Sequence, residues 1–284
     1  MIVNSKYSSL HFGDMDSWMT DFDASVCYVQ KYAVGEYMRI QFTGNAVSYS
    51  AKYISETGNE TNLIVETLYT DTETGNSIFE VYFSINTTGF YTLEISDGSK
   101  VISSCFKIVE DDELKNTIIL SYSHRRNEYG TIFVNSDDTR RYFNFRVEGG
   151  MFPSGISQAL DNNFFRDQRF TLHHTSAEAY EVSILTVGNT KGVPQWVGNR
   201  INHIFNASNV LFDGKETKRS EGSTVETIEL GKYYPLLVFK LNIEQSDEEL
   251  LTGESGVGSE EFLLLAHDGE PILTTNNENI LLTA

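Results

Sequence analysis

Polar and apolar residues alternate with a period of two along most of this chain. In EYMRIQF (36–42) the residues Met38, Ile40 and Phe42 share one parity, and in SIFEVYFSI (77–85) so do Phe79, Val81, Phe83 and Ile85. VSYSAKY (47–53) sets Val47, Tyr49, Ala51 and Tyr53 on a further apolar face. Successive side chains of a pleated strand point to opposite faces, so each run predicts a half-buried β-strand. NLIVETLY, GFYTLEI and VISSCFKIV extend the series, with the turn-forming stretches DTETGN and SDGSK between them. Strand-length runs of this kind, punctuated by Gly, Asn and Asp, predict an antiparallel sandwich. Within it, Gly89-Phe90-Tyr91-Thr92-Leu93 has the form of the penultimate strand of an immunoglobulin-like domain. Tyr91 would be its tyrosine corner, and Leu93 stands where antibody domains carry their second cysteine. Cys105 falls on the last strand, so the intersheet disulfide of those domains is not reproduced.

EDDELKN (110–116) is acidic and polar and is followed by a fresh apolar run, TIILSY, which marks a boundary. The chain is therefore expected to be mostly β. An N-terminal Ig-like β-sandwich over 1–112 precedes a second antiparallel β domain over 113–245, built from GTIFVN, RYFNFRVEGG, RFTLHH, YEVSILTVG, STVETIEL and PLLVFKLNI. One segment breaks the period: Val197, Ile201, Ile204 and Phe205 recur at helical spacing after Pro194, predicting a single short helix over 194–206. NVLFDGKETKRS then reads as a hairpin about Asp213-Gly214. Residues 246–284 begin with the linker-like SDEELLTGESGVGSEE and end in apolar clusters split by polar turns, an acidic linker and short β arm.

Candidate chemistry changes this picture little. NNFFRDQRFTLHH (162–174) reads as a turn leading into a strand from Arg169, which puts His173 and His174 on opposite faces and unable to share a metal. His124, His203 and His267 stand alone, and Asp161-Asn162-Asn163 with Asp167 lacks the central Gly and distal Glu of a calcium loop. The sequence has no Gly-rich phosphate loop, nucleophile elbow or His-Glu-x-x-His. A pair of carboxylates for glycoside hydrolysis stays open, because such pairs meet only in three dimensions. The expectation is a protein that is not an enzyme, with no catalytic residues, no cofactor and no metal. No apolar run approaches the ~20 residues that span a bilayer. The N-terminus has no apolar signal core, so synthesis and folding in a cytoplasm are expected, with Cys27 and Cys105 as reduced, buried thiols.

Charge is distributed unevenly. The net of −19 divides into −11 over 1–113 (17 acids, 6 bases), +1 over 114–245 (14 acids, 15 bases) and −9 over 246–284 (9 acids, no base). Such acidity repels nucleic acid at long range. The middle block holds every arginine except Arg39. Arg140, Arg141, Arg146, Arg166 and Arg169 are therefore candidate interface residues, able to grip carboxylates of a neighbouring subunit in bidentate fashion. The competing reading pairs them within the domain, with Glu148, Asp161 and Asp167.

FRVEGGMFPSG, DNNFFRDQR, SILTVGNTKGVPQWVGNRINHIF and FDGKETKRSEG together resemble a group of uncharacterised proteins encoded in phages and prophages of Bacteroides and related gut bacteria. The resemblance spans about residues 1–245 and includes the Ig-like segment ending in the Tyr91-x-Leu93-x-Ile95-Ser96-Asp97-Gly98 hairpin. It implies a structural virion protein of a tail, baseplate or neck ring, made in the host bacterial cytoplasm. Such a protein forms a homo-oligomer (ring) with other virion proteins as neighbours, a host surface as a further contact, and no nucleic acid or membrane as partner. The group carries no known catalytic residues. The rival reading is a receptor- or glycan-binding β-sandwich with Tyr7, Trp18 and Tyr28 as its platform, and a glycan hydrolase is the third.

Overall fold

A computed structural model of the chain describes residues 1–12, 28–128, 130–151, 157–166, 168–189, 191–232, 235–246, 262–263 and 281–282. Cys27, Trp18, Asp167, His267 and most of the acidic arm lie outside the described residues. The fold is mostly β. Residues Met1–Ser246 form one compact unit and Asp247–Ala284 a second. In the first unit the strands β1 (Ile2–Val3), β2 (Gln30–Ala33), β3 (Tyr37–Gly44), β4 (Ser50–Ser55), β5 (Glu60–Leu63), β6 (Val65–Thr70), β7 (Ser77–Ser84), β8 (Gly89–Ser96), β9 (Lys100–Ile102) and β10 (Phe106–Val109) build two sheets. One runs β1-β3-β7-β6, and the other runs β2-β10-β8-β4-β5 with β9 on β8. The β2–β10 pairing is parallel and the remainder antiparallel.

Alternation explains how these sheets close on one another. Met38, Ile40, Phe42, Val81 and Phe83 face Ala51, Leu93, Ile95, Phe106 and Ile108 in a buried cluster. Tyr91, two residues before Leu93, donates its hydroxyl to the Thr87 carbonyl at 3.1 Å, tying β8 to the turn that precedes it. Chain continuity between the sheets runs through Ile64, 87% exposed, where β5 of one sheet gives way to β6 of the other.

A 3-10 turn at Asp111–Leu114 leads into the second set: β11 (Thr117–Ser123), β12 (Phe143–Met151), β13 (Ser157–Arg166), β14 (Leu172–Val187), the helix α1 (Gln195–Ile204), β15 (Asn209–Phe212), β16 (Lys215–Arg219), β17 (Glu226–Glu229) and β18 (Leu237–Ser246). The order β14-β12-β11-β15-β16-β18, with β18 pairing back onto β14, closes six strands into a barrel, and β13 and β17 are appended. Its core takes Leu120, Phe145, Leu185, Phe239 and Leu241 from strands and Val197, Ile201 and Ile204 from α1. Backbone bonds between Val193 and Leu237, at 2.8 and 2.9 Å, dock the start of the helix on β18. In the second unit Phe262–Leu263 pairs antiparallel with Leu281–Leu282.

Several expectations are corrected. Val47 is fully exposed, because the strand begins only at Ser50. NLIVETLY is two strands in different sheets rather than one. GTIFVN makes isolated bridges at Thr131 and Val134 and no strand. Asp161–Arg166 is strand, not turn; the turn falls at Gln168–Phe170, and its partner strand starts at Leu172 rather than Arg169. Cys105 sits between β9 and β10 rather than on the last strand, and it is exposed rather than buried, because the connection there runs over the surface.

Gly198 shows how closely helix and barrel approach. A Cβ there would lie 2.4 Å from the Phe239 ring. Gly→Ala inside a helix ordinarily stabilises by about 1 kcal/mol. Here the clash dominates, and Gly198→Ala should destabilise by about 1–3 kcal/mol, measured as a lowered midpoint in guanidinium chloride.

Candidate functional site

A network of polar side chains joins the two β sets of the first unit. Residues Asn4–Phe12 carry little regular structure, yet Tyr7 to Leu10 are all buried. Tyr7 enters the barrel core, its ring 5.1 Å from Phe133 and edge-on to it, while Leu10 and Phe12 join the sandwich core. The segment therefore belongs to both cores. Its carbonyls are met from several directions. Tyr122 donates to the Tyr7 carbonyl at 2.7 Å, Arg200 of α1 to that of Ser8, and Tyr32 to that of Ser9. Gln30 donates to the Ser9 carbonyl at 3.2 Å and to that of Arg146 at 3.1 Å, linking sandwich and barrel backbones.

Burial pushes the phenols of Tyr28, Tyr32 and Tyr122 above their ordinary value, with the Glu148 charge adding to the shift at Tyr28 and that of Glu36 at Tyr32. All three stay protonated and able to donate. Arg200 is 3% exposed, and burial lowers its pKa. Its guanidinium lies 5.5 Å from the Phe145 ring centre and 5.7 Å from that of Trp196, within cation–π range.

Two of the five candidate arginines belong to this seam. Arg141 pairs with Glu80, which is 2% exposed and also accepts from Gln41 at 2.9 Å and faces Arg39 at 3.4 Å. Gln41 in turn exchanges bonds of 2.8 and 3.0 Å with the backbone of Ile132. Arg146 donates to Glu36 at 2.7 Å and to Thr117 at 3.0 Å. Both thus engage carboxylates of the same chain, Glu80 and Glu36 of the sandwich rather than Glu148; the side chains of Asp161 and Asp167 lie outside the described residues. Glu148 instead faces Lys31 at 3.7 Å. Arg140 is exposed and reaches the Asn209 carboxamide.

Arg166 and Arg169 lie elsewhere, exposed at the end of the β13–β14 hairpin. From Leu172 to Ala179, β14 pairs with β13 alone among the described residues; β18 and β12 join it only from Tyr180 onward. Eight strand residues make a ribbon about 25 Å long. Phe165 (53% exposed) and Phe170 (80% exposed) stand at its end, and Phe170 holds a φ of 61°, a left-handed conformation that a bulky residue rarely adopts.

Other sequence candidates are dispersed. His173 and His174 are consecutive residues of β14, opposite Phe165 and Phe164. Among the described residues no group of three or more His, Cys, Asp and Glu is placed to hold a metal. Tyr7 and Tyr28 are taken up in packing: Tyr7 is 1% exposed and the Tyr28 hydroxyl is buried, so neither offers a binding platform. No helix of the described residues is long and apolar enough to cross a membrane. No family model matches the chain, and no curated protein matches it.

Two outcomes test the seam. Arg141→Met leaves the buried Glu80 carboxylate with Arg39 and Gln41 alone and should destabilise by about 1.5–3 kcal/mol, read from urea unfolding; adding Glu80→Gln should restore part of the loss. His203, whose ring lies 6.4 Å from that of Tyr7, has its pKa lowered by burial first, then by the Lys6 and Arg200 charges. On acidification the unfolded chain therefore binds that proton before the folded one. The stability contribution is complete above about pH 6.5 and is lost below it. His203→Gln should shrink the drop in melting temperature between about pH 7.5 and about pH 5.5.

Proposed function

We propose that this protein is a non-enzymatic structural component of a tailed-phage virion, assembling in a ring with copies of itself and with adjacent virion proteins. The observation that carries the reading is the β13–β14 ribbon. A two-stranded ribbon is marginal by itself in water, and two exposed phenylalanines beside two exposed arginines at its end form a docking tip. Arginines beside aromatics are the residues that dominate protein–protein contacts. A bulky side chain held at positive φ costs of order 1 kcal/mol or more in the free subunit, and burying its ring against a neighbour on assembly offsets that strain. Arg140, Arg166 and Arg169 are the inter-subunit candidates, while Arg141 and Arg146 hold the subunit rigid behind them.

The sandwich itself is read as Ig-like. What supports this is that its edge strand β2 runs parallel to the last strand β10, β1 pairs with β3 on the opposite sheet, and Tyr91 in β8 bonds back to the Thr87 carbonyl as a tyrosine corner would. A module of this kind would serve as the platform that neighbouring virion proteins meet.

Native mass spectrometry and negative-stain electron microscopy over a concentration series test the proposal. Closed rings of fixed copy number are expected for the natural chain. Phe165→Ser with Phe170→Gly should reduce assembly while leaving the isolated subunit as stable or more stable, since glycine adopts positive φ freely. A well-folded chain that stays monomeric throughout, or a double variant that assembles normally, counts against it.

A further inference from the structure

A cleft of about 230 Å³ opens at the turn end of the second sheet of the sandwich, between the β4–β5 turn and the β7–β8 turn. We propose that it binds a single neutral pyranose, a role separate from assembly. Its walls are fixed. The Glu56 amide donates to the Phe90 carbonyl at 2.9 Å, tying one turn to the other. Asn59 is held by a backbone bond to Ser55 Oγ at 3.1 Å and by its side chain on Thr57 at 3.1 Å. The Glu56 carboxylate lies over Gly89, with Oε1 3.8 Å from where a Cβ would stand, so the missing side chain helps keep the space open.

The lining selects the chemistry. Tyr53, Glu56, Thr61 and Thr88 line this cleft, and their side-chain polar groups make no hydrogen bond to any described residue. With the Asn59 carboxamide they supply donors and acceptors at several closely spaced points, which suits adjacent hydroxyls on one small ring. Phe90, 37% exposed, adds aromatic surface for the apolar C–H face of a sugar, while the Tyr53 ring is packed against Phe83 and Tyr91 and leaves its hydroxyl to contribute. Among the described residues no Lys, Arg or His lines the cleft; Lys107 lies 5.6 Å from the Phe90 ring centre but is paired with Glu113 at 2.8 Å, and Glu56 together with a net charge of −19 repels anions. One carboxylate falls short of the oxygen set that a calcium ion requires. The volume lies below that of sites for larger ligands, which limits the occupant to one ring.

Saturation-transfer NMR on the full chain tests this with D-glucose, D-galactose, D-mannose and N-acetyl-D-glucosamine, and with D-glucuronate as the charged control. Transfer to at least one neutral sugar is expected, with a dissociation constant on the order of 1 mM. Thr61→Val with Thr88→Val should weaken it about tenfold or abolish it, the cost of losing one or two hydrogen bonds, with an unchanged circular dichroism spectrum. Glu56→Gln, at an exposed position, should do the same and stands in if the double variant misfolds. Silence from every neutral sugar overturns the proposal. So does undiminished transfer in folded variants, or a preference for glucuronate.

Discussion

Three consecutive carbonyls, those of Tyr7, Ser8 and Ser9, lie buried where two β structures meet, and the rest of the molecule is arranged around satisfying them. A buried carbonyl without a donor costs roughly 1–3 kcal/mol, and water is kept out by the packing of Tyr7, Leu10 and Phe12. The donors come from a barrel strand, the helix and a sandwich strand. Desolvation keeps the tyrosine donors protonated, and a guanidinium retains its charge even when buried. The segment thus acts as a shared strut, and sandwich and barrel cannot shift relative to each other without breaking bonds on both sides of it.

The ion pairs around the strut explain why charge is polarised along the chain. Acidic sandwich residues Glu36 and Glu80 and basic barrel residues Arg141 and Arg146 are complementary halves of one internal joint. Two sandwich carboxylates are neutralised across this contact, and most of the −11 of the first segment stays unpaired by the barrel. The outward tips of the hairpin keep their charge at the surface, some distance from the joint. One cluster of arginines in the sequence is therefore divided between a buried joint and an exposed hairpin end.

Strand positions were legible wherever one face meets a core and the other meets water, as with Met38, Ile40 and Phe42 or Phe79, Val81 and Phe83. The helix was legible too, because Val197, Ile201 and Ile204 leave the period of two abruptly after a proline. The joint was not. Arg39, Gln41 and Glu80 occupy the polar parity of their strands, and that pattern looks the same whether the polar face meets solvent or another polar surface. Tyr7 gave no periodic signal, since it sits in an irregular segment whose order comes from tertiary contacts. The hairpin was misjudged for a related reason: Asp161, Asn162 and Asn163 have turn-like composition, and a long ribbon partner overrides it. Of the candidate site, the residue types at the tip could be named from sequence, but their separation from Arg141 and Arg146 depends on strand pairing across distant segments.

The strut also dictates an order of events during synthesis. Ser8 is made long before its partner Arg200, which follows 192 positions later. Until α1 has been made, the strut has no complete set of donors, and the barrel lacks the helix that fills one end of its core. Contacts of such long sequence separation close late and slow folding. Cutting the chain at the acidic turn near Asp111 would consequently yield two fragments that each miss part of the other, although the sequence punctuates that point as a boundary.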